Sequence, residues 1–171
     1  MEEATDEYPD LDEIDLAILE RVERDFDVSL GTVAAELDLS KSAIHYRVNK
    51  LKESGVIQGV TADVDPLALG LEMVSITDVS VTHEQGYSES IGEQLTSICG
   101  VERVFYTMGD VDFVAILRVQ DRIQMNDVIE RIVGIDGVNE TSSRFVMDEL
   151  ASNPEFMSNL SPEMKRNLVR D

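Results

Sequence analysis

Two periods of hydrophobic positions follow one another along this chain. From residue 12 the period is helical: Ile14, Ala17, Ile18 and Val22 share one face of a segment opened by Asp12 and Asp15. That capping pattern predicts an amphipathic helix over about 12–24. Ser29 caps a short second helix with Val33, Ala34 and Leu37 as its apolar positions. After Asp38-Leu39-Ser40, Ser40 caps a third helix that ends at Gly55. Two short helices across a three-residue turn make a helix-turn-helix. Val56 to Pro66 reads as a strand or wing leading into a linker, with a domain boundary at Pro66–Gly70.

From residue 71 strands alternate with helices. Met73 to Thr82 is β-branched and extended, and Tyr87 to Ile98 carries Ile91, Leu95 and Ile98 at helical spacing. Val101 to Met108 and Val111 to Val119 are strands on either side of Gly109-Asp110. A helix follows over about 122–135, with Val128, Ile129, Ile132 and Val133 inward, and Val138 to Leu150 is a last strand. The order β-α-β-β-α-β predicts a ferredoxin-like unit, a four-stranded antiparallel sheet with both helices on one face. Its other face needs a cover, and a second copy of the chain supplies one, so a homodimer is expected. The fold class is therefore α+β. An acidic extension (1–10) precedes the helix-turn-helix domain with its wing and linker (11–66) and the ferredoxin-like domain (71–150). A tail (151–171) follows, with two short helices expected where Asn153-Pro154 and Ser161-Pro162 place a cap before proline.

Charge sharpens this picture. The net charge is -21, yet residues 26–60 hold four acids and four bases, and three of the four lysines are in the third helix. With Ile44, Val48 and Leu51 turned inward, Ser42, His45, Tyr46 and Asn49 occupy the opposite face, flanked by Lys41, Arg47, Lys50 and Lys52. Neutral donors and acceptors suit base edges in the major groove of double-stranded DNA, and cations suit phosphates. Base contact is expected from Ser42, His45, Tyr46 and Asn49, and phosphate contact mainly from Arg47, Lys50 and Lys52, with Ser40 and Lys41 at the helix start. The acid excess elsewhere resembles that of halophilic proteins working in molar cytoplasmic salt. An acidic protein binding a basic partner is the alternative.

These residues resemble the Lrp/AsnC (feast/famine) transcription regulators. In the first half the resemblance rests on Leu11-Asp12-Glu13-Ile14-Asp15, Ile18-Leu19, Ser40, Arg47-Val48, Leu51 and Gly55-Val56-Ile57. In the second it rests on Thr107-Met108-Gly109-Asp110-Val111-Asp112 and on Gly137-Val138 with Thr141-Ser142-Ser143. It covers about residues 10–150, with Asp136 where the family usually has proline and Ser143 replacing a second threonine. The resemblance implies a dimer formed through the α/β domains that assembles into tetramers or octamers and binds pseudo-palindromic promoter DNA. It also implies a small-molecule effector, an amino acid or similar metabolite, held between subunits. The candidate effector positions it marks are Met108, Gly109, Asp110, Asp112, Thr141 and Ser143.

Other classes do poorly. The sequence shows no P-loop, G-x-G-x-x-G, H-E-x-x-H or paired cysteines, and His45 and His83 fall in different predicted domains. No catalytic residues, metal site or cofactor are expected. A siroheme-decarboxylase-like enzyme, which resembles the same two-domain architecture, and a ligand-sensing module without DNA binding are the alternatives. The polar start and the lack of a long apolar run lead to an expectation of a cytoplasmic protein with no membrane partner. The lone Cys99 reads as a small buried hydrophobe.

Overall fold

A computed structural model describes residues 9–24, 28–59, 62–83, 86–150 and 155–169. Contacts divide the chain into two units. Asp63–Leu150 form one, and residues on both sides of them, up to Ala62 and from Ala151 onward, form the other.

The discontinuous unit begins with α1 (Glu13–Arg24), α2 (Leu30–Glu36) and α3 (Lys41–Glu53). Each starts where a side chain satisfies an otherwise orphaned amide. Asp12 and Asp15 cap reciprocally, Asp12 Oδ1 accepting from the Asp15 amide at 2.8 Å and Asp15 Oδ2 from the Asp12 amide at 3.2 Å. Ser29 Oγ accepts from the Thr32 amide at 3.0 Å and Ser40 Oγ from the Ala43 amide at 3.1 Å. Asp38, at φ 52°, turns the chain between α2 and α3, a conformation that a short polar side chain tolerates. Ile18, Val33, Ala34, Ile44, Val48 and Leu51 form the core.

The expected wing is not formed by the described residues of 56–66, none of which is in a strand; residues 60 and 61 lie outside the description. Val56 and Ile57 instead pack against the helical core, and the Ile57 amide donates to the Leu51 carbonyl at 3.0 Å.

In the second unit β1 (Met73–Val81), α4 (Tyr87–Ser97), β2 (Val101–Tyr106), β3 (Phe113–Val119), α5 (Arg122–Val133) and β4 (Val138–Phe145) follow in the expected order. The sheet runs β2-β3-β1-β4 with every neighbouring pair antiparallel. Val79, Val81, Phe113, Ala115, Leu117 and Val119 pack against Ile91, Leu95, Met125, Val128 and Ile132 of the helices. Ser75 and Thr77 are fully buried on this same face. Their hydroxyls lie 3.2 Å apart, and Thr77 bonds onward to Ser143 at 2.9 Å, so the buried oxygens are satisfied.

Several sequence expectations shift. The strands flanking the β2–β3 turn stop at Tyr106 and start at Phe113, because Thr107 closes the turn through its amide to the Asp112 carbonyl and its hydroxyl to the Val111 carbonyl. β4 ends at Phe145, just before the Val146 amide reaches Val74 at the start of β1. Within α5, Met125 joins Val128 and Ile132 in the core, Ile129 is half-buried and Val133 is exposed. Cys99 is exposed rather than buried, since it follows the last residue that packs inward, Ile98.

Gly100 sits where α5 meets β3, at φ +96°, and a Cβ there would lie 2.8 Å from a Val128 methyl and 3.1 Å from a Val119 methyl. Gly100→Ala is therefore expected to destabilise the unit by about 1–3 kcal/mol through overpacking and backbone strain, a loss that a urea melt will report.

The tail adds a 3-10 turn (Met157–Asn159) and α6 (Pro162–Leu168), the latter capped by Ser161, whose hydroxyl accepts from the Met164 amide at 3.2 Å. The first expected tail helix is thus only a turn among the described residues, and Asn153-Pro154 lies outside them.

Candidate nucleic-acid interface and sensor turn

The inward stripe of α3 is anchored by Ile44, Val48 and Leu51, all buried. That leaves Ser42, His45, Tyr46 and Asn49 exposed on the opposite side, Tyr46 at 70%. His45 Nδ1 and Asn49 Nδ2 lie 3.2 Å apart, which aligns two hydrogen-bonding side chains one helical turn apart. Lys41, Lys50 and Lys52 are exposed, with Lys50 Nζ reaching the Asp10 carbonyl at 3.5 Å.

Arg47 behaves differently from its lysine neighbours. One of its guanidinium nitrogens lies 2.7 Å from Asp12 Oδ2 and 2.7 Å from Asp15 Oδ1, and the Asp15 side chain is only 4% exposed. The hydrogen bond to Asp15, opposed by burial and reinforced by Asp12, raises the Arg47 pKa above its ordinary value. Burial alone would raise the Asp12 carboxyl. The Asp15 amide and the Arg47 guanidinium outweigh it and hold Asp12 below the usual carboxylate range. Arg47, expected on phosphate, braces α3 to the start of α1. Spacing within α3 could not reveal this, since both partners lie on another helix.

In the second unit Met108 is 97% exposed and Gly109 and Asp110 are exposed beside it. Asp112 is engaged. One carboxylate oxygen accepts from the Val81 amide at 2.9 Å and the other pairs with His83 Nε2 at 2.5 Å. Burial acts to raise its pKa, but these two contacts hold it below the ordinary value. The turn and Thr141 approach Val79 from opposite sides, whereas Ser143 turns its hydroxyl to Thr77. Of the six effector positions, the turn residues and Thr141 are thus brought to one end of the sheet, and Asp112 and Ser143 are committed to internal bonds.

Sequence reasoning missed an aromatic group beside this turn. His83 stacks on Tyr87 with ring centroids 4.7 Å apart, and Tyr87 meets Tyr106 hydroxyl to hydroxyl at 2.7 Å. The Tyr106 hydrogen bond is the chief cause pushing the Tyr87 pKa up to about 12. A groove of about 540 Å³ opens next to them, lined by Thr82, Tyr87, Gln94, Asp136 and Asn139 among others. His83 directly after a strand was the available signal. The opposite sheet face carries Ile76 and Ile116 in register, with Asp78 and Arg144 paired at its side at 2.6 Å. The Arg144 hydrogen bond holds Asp78 below its ordinary pKa.

Comparison with known proteins matches both units. Residues 11–58 fit a family model described as winged helix-turn-helix DNA-binding, and residues 76–156 fit the Lrp/AsnC ligand binding domain. The HTH-type transcriptional regulator FL11 of Pyrococcus horikoshii is 34% identical over 137 residues, covering 80% of this chain and 89% of that protein.

The chain belongs to the Lrp/AsnC family of transcription regulators.

Solved structures agree at the level of the fold. AsnC of E. coli superposes with a TM-score of 0.78 at 24% identity, covering 84% of this chain and 96% of that one. A transcriptional regulator from Neisseria meningitidis, solved as a complex with L-Met, gives 0.79 at 20% identity, covering 87% and 97%. This Lrp/AsnC chain is thus a DNA-binding transcriptional regulator with a ligand-binding domain. No helix among its described residues is long and apolar enough to cross a membrane.

Proposed function

We propose that this regulator reads promoter sequence through Ser42, His45, Tyr46 and Asn49 and neutralises phosphates through Lys41, Lys50 and Lys52, with the capped start of α3 at Ser40 beside them. Arg47 sets the pose of the helix instead of touching DNA. The observation that carries this is one helix with a fully buried apolar stripe and an exposed, uncharged, hydrogen-bonding face. Two chains pair across the open sheet face and so present two reading helices to a pseudo-palindromic site. An amino acid binds between subunits at the turn of Met108, Gly109 and Asp110, with Thr141 nearby and Asp112 and Ser143 shaping the turn and strand. The L-Met complex of the Neisseria relative supports that ligand class. Differential binding to two assembly states converts effector concentration into DNA occupancy.

Selection from random double-stranded DNA in molar KCl, with and without each standard amino acid, tests this. Wild type is expected to enrich one motif, and at least one amino acid to change its occupancy. Asn49→Ala should alter the preferred base at a cost of about 1–3 kcal/mol, whereas Lys50→Ala should weaken all sites alike. Identical motifs from wild type and from alanine variants at all four reading positions would remove the base-reading assignment. No occupancy change with any amino acid would remove the effector assignment.

A further inference from the structure

Both family matches end before the tail does, the second at residue 156, yet the tail is part of the DNA-binding unit. It grips α1 at both ends. At the far end the Glu23 carboxylate accepts from the amides of Phe156 and Met157, each at 2.6 Å, and so caps the 3-10 turn from another element. Met157 itself is buried, and Lys165 pairs with Glu20 at 2.5 Å, both side chains about one-third exposed. At the near end Val169 forms a parallel bridge with Leu11. Leu11 is flanked by Asp10, whose carbonyl meets Lys50, and by Asp12, which holds Arg47.

The helix so gripped is the one that carries α3. It spans about 18 Å at 1.5 Å per residue, and its start and its buried Ile18 are what α3 leans on through Arg47 and the shared core. Lysine usage points the same way. Three of the chain's four lysines lie in α3, and the fourth, Lys165, is spent on α1.

We propose that residues 155–169 are a positioning element of DNA recognition, a splint that fixes α1 and, through the Arg47 brace, the pose of α3. Glu20, Glu23, Met157 and Lys165 are its positioning residues; none of them touches DNA. The proposal rests on α3 being the DNA-reading helix, which the Asn49→Ala selection tests independently of the tail.

Charge exchange in the full chain separates positioning from simple electrostatics. Lys165→Glu, Glu20→Lys and the double variant are titrated with the selected DNA at constant KCl. Circular dichroism checks the fold, and hydrogen exchange is read separately on α3 and on the sensor unit. Glu20→Lys removes negative charge from a protein at -21, so a purely electrostatic effect would tighten DNA binding. Splinting predicts the opposite: each single variant weakens binding by about three- to tenfold, the scale on which distant packing changes alter coupled sites. The double variant, which restores the pair with reversed signs, should return to within about twofold of wild type. Exchange on α3 should quicken in the singles, recover in the double and stay unchanged in the sensor unit. Met157→Ala supplies a second measurement that leaves charge untouched, and it should weaken binding while the chain stays folded. The proposal is overturned if Glu20→Lys binds as tightly as wild type or more so, or if the double variant is no better than the singles. It is equally overturned if Met157→Ala leaves both α3 exchange and affinity unchanged.

Discussion

Replacing Arg47 with alanine is expected to lower the stability of the DNA-binding unit by about 2–4 kcal/mol, because the change strands the Asp15 carboxylate, only 4% exposed, without its cation. The estimate sits toward the lower end for broken buried pairs because Arg47 is itself 26% exposed and Asp12 48%. Urea melts of wild type and variant at pH 7 measure it. The same brace fixes an acid limb. Asp12 has a folded pKa below its ordinary 3.8, so its contribution is fully present above that value and is lost as pH falls through the folded pKa. As pH falls below 3.8 the gap between the melts of wild type and Arg47→Ala should therefore narrow by the share that Asp12 contributes. Affinity for DNA should fall in the variant for all sequences, while the slope of log K against log[salt] stays as in wild type. A phosphate contact would instead reduce that slope by about one, and that result, with little loss of stability, would return Arg47 to the phosphate-binding set.

The second large effect concerns salt itself. A regulator neutralising six to ten phosphates loses roughly 10³–10⁵ in affinity between 50 and 200 mM salt. Here the net charge is -21, and with Arg47 committed to Asp12 and Asp15 only three lysines of α3 face outward. Long-range repulsion from the polyanion should dominate in dilute buffer, and added salt screens it first. Affinity is therefore expected to hold or rise as KCl climbs toward molar concentrations, with direct hydrogen bonds to bases carrying the specificity. Low salt can also unfold acidic units by self-repulsion, so each titration is paired with circular dichroism at the same concentration. A folded protein whose affinity declines steadily with the conventional slope, about -0.9 per phosphate, would show the acid excess to be incidental to recognition.

What the residues disclosed in advance follows the range of the interactions involved. Ser29, Ser40 and the Asp12–Asp15 box act within three positions of themselves, and the buried stripe of α3 repeats at helical spacing, so each was legible locally. The four-stranded antiparallel sheet followed from element order alone. The Arg47 brace was not legible because its partners lie 35 and 32 residues away, and spacing within α3 carries no trace of them. The bonds of Asp112 to Val81 and His83 were hidden in the same way, since they depend on β1 passing beside the β2–β3 turn. That no described residue of 56–66 is in a strand follows a competition in which Val56 and Ile57 join the helical core. Cys99 fell just past the end of an inward face, where a single position decides exposure.

The bonds that join Glu20 to Lys165 and Glu23 to Met157 connect residues 145 and 134 positions apart, with the whole sensor unit in between. Translation delivers α1, α2 and α3 first, then a complete α/β unit, and only afterwards the segment that grips α1. Long-range closures of this kind are late events in folding, since the loop must be closed before the contacts can reward it. The intervening unit can fold as it emerges, and a folded unit replaces a long floppy loop with a compact spacer. The discontinuous unit is thus begun before the α/β unit and completed after it, so a nascent chain carries α3 without the splint while that whole unit is made.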